Sequence, residues 1–136
     1  MKEEQLAQLH EVAQAKYDAS QAKLAAITAE ERRLRDLLAN LTRDQEIGRG
    51  ALIADSAFRA VRGDQAWNSW VGNRRAVLNL QLARLLVVRE TAMTEVQGAF
   101  GKADVLGKLL SEQRLSRRKS REAAALEAAM QVRLLG

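Results

Sequence analysis

Eleven positions in the first third of the chain recur at alternating steps of four and three: Leu6, His10, Ala13, Tyr17, Ser20, Leu24, Ile27, Glu31, Leu34, Leu38 and Leu41. That spacing keeps one stripe of an α-helix turned toward a partner helix. A helix cannot bury its own stripe, so the pattern requires a second helical segment, from this chain or from another. A stretch of the same kind lies downstream. Val71, Arg75, Leu78, Leu82, Leu85, Arg89, Ala92, Val96, Ala99, Ala103, Leu106 and Leu110 step by four and three again.

Bulk is scarce in this sequence: aromatic residues make up 4% of the 136 residues, and Ala and Leu carry the apolar share. A thick globular core is therefore excluded. With no proline, and with Ala, Leu, Arg, Glu and Gln dominant, the composition is that of long helices. The expected fold is all-α: a long antiparallel two-helix coiled-coil hairpin forming one elongated domain.

The seams and the glycines set the expected boundaries. A first helix is expected over 4–46 and a second over 64–134, the latter started by Asp64 as N-cap. The connector, 47–63, holds Gly48, Gly50 and Gly63, and Leu52, Ile53, Phe58 and Val61 suggest a short helix within it. Antiparallel pairing with Leu41 opposite about Val71 puts Leu6 opposite about Leu106. The residues after about Leu110 then form a helical overhang. Polar seam residues such as Glu31 and Arg89 weaken the pairing but fix its register. Gly98, Gly101 and Gly107 each weaken the helix by up to about 1 kcal/mol relative to alanine.

Charge is unevenly placed. Residues up to Glu46 hold seven basic and nine acidic side chains, whereas Ile47 to Gly136 hold fifteen and eight. The densest run is Arg114, Arg117, Arg118, Lys119 and Arg121, which contains no acid and lies on the expected overhang. It would attract an acidic protein surface, a phosphate backbone or an anionic membrane. The segment Ala123–Met130 that follows is a strong helix former with narrow side chains, suited to a tight channel or groove.

Catalytic and ligand-binding chemistry finds no support. Cysteine is absent and there is one histidine, which removes disulfides, thiolate nucleophiles and the common zinc sites. His10 has no nucleophile or paired carboxylate beside it, and no glycine-rich phosphate loop occurs. No enzyme activity, metal, cofactor or small-molecule substrate is expected. Apolar runs such as Leu85–Val88 are far short of the roughly 20 residues of a membrane span. The charged N-terminus has no signal-peptide core, so a cytoplasmic protein is expected.

Trp67 and Trp70, with Arg74 and Arg75 a turn later, are the unusual aromatics. They either close the bend against Phe58 and Leu41 or offer a docking site of the kind interfaces favour. The tract Trp67-Asn-Ser-Trp70-Val-Gly-Asn-Arg74-Arg75-Ala-Val-Leu78-Asn79, with Ala99-Phe100-Gly101-Lys102-Ala103, resembles divergent α-proteobacterial members of the flagellar FliJ family and its YscO-like counterparts in type III secretion. The resemblance covers nearly the whole chain and includes its size, hairpin and charged Ala/Leu-rich seams.

It implies a stalk similar to the central γ subunit of rotary ATPases, peripheral to a membrane-bound export apparatus. One end inserts into a hexameric export ATPase, the other meets the membrane export-gate protein, and export chaperones are further partners. On this chain the ATPase end would be Arg114, Arg117, Arg118, Lys119 and Arg121. The gate end would be Leu38, Leu41, Trp67, Trp70 and Leu78. The alternative is a coiled-coil nucleic-acid-binding protein that uses the run 114–121, which salt dependence would expose. Association with a membrane surface is disfavoured because the run lacks bulky apolar partners.

Overall fold

Good helix formers fill both seams and no proline interrupts them, so backbone hydrogen bonding continues as far as the seams do. A computed structural model describes residues 2–54 and 63–136, the last three of the first span as backbone only. Helix α1 spans Glu3–Ala54 and helix α2 spans Gly63–Leu135. Among the described residues only Lys2 and Gly136 lie outside them, and there is no strand. The fold is an all-α antiparallel two-helix hairpin. It divides into two compact units: unit 1 joins Met1–Gln21 to Thr94–Gly136, and unit 2 is Ala22–Met93.

The glycines do not end the first helix where the sequence suggests. Instead of stopping at 46, α1 continues through Ile47–Ala54, with Gly48 and Gly50 inside it. The tertiary reason for Gly48 is visible in unit 2. The Trp67 indole lies where a side chain would be, and a Cβ built on Gly48 would fall 2.4 Å from Trp67 Nε1. Phe58, Val61 and most of the expected connector helix lie outside the described residues, as do the side chains of Leu52 and Ile53. Asp64 falls in the first turn of α2, where its carboxylate accepts from the Gln65 N–H at 2.8 Å and complements the helix dipole.

Unit 2 carries the denser core. Leu34 and Leu41 from α1 interlock with Val71, Leu78 and Leu82 from α2, flanked by Leu37, Leu38, Trp67, Leu85 and Leu86. All these α1 residues and most of the α2 ones are seam positions or their immediate neighbours. Unit 1 is thinner: Leu6, Ala103 and Leu110 are buried, while His10, Ala13, Tyr17, Val96 and Leu106 are half-buried. Tyr17 and Phe100 meet there with ring centroids 5.5 Å apart.

The register differs from the expected one by about five to eight residues, roughly two turns of helix. In unit 2, Arg75 donates to Gln45 at 2.8 Å and Arg89 reaches Glu31 at 3.6 Å. In unit 1, Tyr17 meets Phe100 and the His10 ring lies beside Gly107. Charge explains the choice. The expected register would have set Arg89 against Lys23, whereas the observed one gives Glu31 both Arg89 and, within α1, Arg35 at 3.4 Å. The Glu31 side chain is only 16% exposed, so this pairing decides more than the surface pairs do. By contrast, Arg33 donates to Glu30 at 2.6 and 2.9 Å and holds the Glu30 carboxyl below its usual range, yet the pair is solvated and sets no register.

Changing Arg89 to Ala is expected to lower stability by about 1–2 kcal/mol, because it leaves Glu31 short of a partner inside the seam. The double change Glu31→Leu with Arg89→Leu should recover or exceed the wild-type melting temperature. A double variant that melts below Arg89→Ala would show that the pair itself stabilises the hairpin.

Candidate partner-binding surfaces

The basic run splits into two parts with different neighbours. α1 begins level with it, and the single Glu3 carboxylate holds two of its arginines, Arg114 at 3.3 Å and Arg117 at 2.7 Å. These two cations are therefore tied to the hairpin. The overhang begins after Arg117 and not after Leu110, a direct result of the register. Arg118, Lys119 and Arg121 are exposed and make no ion pair among the described residues. From Arg114 to Gly136 every residue is exposed while the helix continues to Leu135. This solvated tail is held straight by local backbone bonds and by alanine, without tertiary contacts beyond Arg117.

The residues expected at the gate end are separated by depth. Leu41 and Leu78 are core residues, Leu78 only 2% exposed, and they cannot reach a partner without unfolding unit 2. Leu38 and Trp67 are partly buried against that core. Trp70 alone presents its surface, 52% exposed, stacked on Trp67 at 5.4 Å between centroids. Trp67 is thus a structural aromatic and Trp70 the one available for contact.

A third surface, in unit 1, was not singled out by the seams. Leu9 and Val12 of α1 and Val105 and Leu106 of α2 wall a groove of about 940 Å³. Gly98 and Gly101 open it, since a Cβ at either would meet nothing within 4 Å. Lys16, Lys102 and Glu95 supply its charge. Its signal was present in the sequence as a second apolar stripe beside the seam, Val105 and Leu109 on α2 with Leu9 and Val12 on α1.

No group of three or more His, Cys, Asp or Glu converges on a metal-sized site among the described residues. Among those residues, no helix is long and apolar enough to cross a membrane. No protein-family model, curated protein or solved structure matches this chain. The arrangement presents three surfaces: an exposed basic helical tail, an exposed tryptophan beside the unit 2 core, and an apolar groove.

Proposed function

We propose that this chain is a non-catalytic coiled-coil stalk or adaptor of a flagellar or type III export apparatus, coupling the export ATPase to the export gate. The observation that supports this reading is the tail of α2, a narrow Ala-rich helix that outlasts α1 and carries Arg118, Lys119 and Arg121 without internal partners. Such a helix fits a channel lined with acids. The five basic residues of the original expectation divide accordingly: Arg118, Lys119 and Arg121 contact the ATPase, while Arg114 and Arg117 brace the tail through Glu3. At the opposite role, Trp70 is the contact with the gate, and Leu38, Leu41, Trp67 and Leu78 hold it in place.

The test is binding between the purified chain and a purified hexameric export ATPase. Changing Arg118, Lys119 and Arg121 together to Ala should weaken binding by about tenfold or more, as expected for desolvated charge contacts. The helical circular dichroism should stay unchanged, because these side chains touch nothing else. Absence of binding by the wild type would overturn the proposal. Binding to duplex DNA instead, with a log–log salt slope near one unit per neutralised phosphate, would favour the nucleic-acid reading.

A further inference from the structure

Two surfaces of unit 1 lack a cover: the groove between α1 and α2, and a stripe on the tail where Leu126 and Met130 are 64% and 58% exposed. They lie on one face of α2. Gly98, Lys102, Val105 and Leu109 step by four and three, and the same stepping continued down the helix arrives at Ala123, Leu126 and Met130. α2 is unbroken to Leu135, so the stripe cannot fold back onto its own groove.

The stepping reads the same from either end, so this face can lie antiparallel on that of a second copy. Laying one α2 antiparallel on another, with a two-fold axis beside Arg114, sets Met130 over Gly98, Ala123 against Val105, and Leu126 along the aliphatic stem of Lys102. Met130 thus meets a glycine and Val105 an alanine, while Leu109 falls level with Lys119. Charges agree toward the two ends, while the two basic runs meet near the axis: Glu127 falls level with Lys102 and with Lys16, which the Tyr17–Phe100 contact places at the same height on α1. Arg133 falls level with Glu95. The α2 wall of the groove, from Glu95 to Leu106, and the tail from Ala123 to Leu134 each span about 17 Å at 1.5 Å per residue.

We propose that a second copy of this chain docks on unit 1 with its tail in the groove, each copy serving the other in one closed, two-fold interface. At each end the tail of one molecule completes a three-helix bundle with α1 and α2 of its partner. Gly98 and Gly101 are then the glycines that admit a helix at close range, and the Ala-rich composition of the tail is what lets it enter. The dimer and the proposed export stalk use the same tail, so a copy whose tail is docked cannot place it in an ATPase at the same time.

Sedimentation equilibrium of the intact chain tests it, over about 5 to 500 µM, the range in which an interface of modest area is populated. The wild type should be a dimer. The double variant Gly98→Leu with Gly101→Leu puts side chains into the groove at positions where a Cβ meets nothing within 4 Å, so it should stay helical and become monomeric. Leu126→Glu with Met130→Glu should do the same from the tail side. That variant changes only exposed side chains without tertiary contacts, so it decides the question even if groove filling perturbs unit 1. Lys16→Glu with Lys102→Glu should weaken the dimer, and adding Glu127→Lys should restore it in part. A wild type that is monomeric throughout would overturn the proposal and leave the groove to a different protein. A dimer that survives the tail variant would overturn it equally.

Discussion

Changing Leu78 to Asp unfolds unit 2. Leu78 is 2% exposed and sits among Leu34, Leu41, Val71 and Leu82. Removing its side chain from the core forfeits about 2 kcal/mol of apolar burial, and placing a carboxylate there without a partner adds several more. The total, above about 4 kcal/mol, rivals the whole stability of a small domain. Helical circular dichroism and thermal melting read the result directly. Leu78→Ala, which leaves a cavity but no charge, should cost about 2–4 kcal/mol and keep the fold. Leu24→Asp gives the useful contrast: Leu24 is a seam residue of the same type but only half-buried, so its variant should melt between those two. A Leu78→Asp chain that melts like the wild type would refute the core assignment.

Gly48→Ala destabilises the hairpin even though alanine is the better helix former. Inside α1 the exchange is worth up to about 1 kcal/mol in favour of alanine. Here, however, the new methyl would stand 2.4 to 2.8 Å from Nε1, Cε2 and Cζ2 of Trp67. An indole is rigid, and this one is fixed by Leu41 and its neighbours below and by Trp70 stacked beside it. Overpacking of this kind costs about 1–3 kcal/mol, so the net effect is a loss. Trp67 should also be displaced toward solvent, which shifts tryptophan fluorescence to the red. Gly50→Ala is the control, since nothing lies within 4 Å of a Cβ there. It should raise the melting temperature. Equal gains from both substitutions would mean that the indole does not rest on Gly48.

Of the candidate surfaces, the charged one is the most fully legible in the sequence. A run of five basic residues in eight is visible without coordinates of any kind, and so is the Ala-rich tail after it. Which of the five are available is not visible, because that depends on Glu3, more than a hundred residues away, arriving beside Arg114 and Arg117. The tryptophans show the same division. Both read as interface candidates by type, yet one packs on a glycine and the other lies outward. The groove was legible only as a second stripe that no intrachain helix covers. Its glycines look like defects until the space around them is known.

Local propensity and period are short-range properties, and they alone determined that the described residues are helical, that two long helices form among them, and which face of each is buried. Every seam position named from the spacing is buried or half-buried in the fold, from Leu6 to Leu41 and from Val71 to Leu110. Register and helix ends were decided by tertiary structure. A heptad stripe slid along its partner by two turns still presents the same face, so the apolar pattern is nearly degenerate with respect to sliding. The degeneracy is broken by contacts between residues far apart in sequence: Glu31 with Arg89, Gln45 with Arg75, and Trp67 on Gly48. Those contacts exist only once two helices lie side by side.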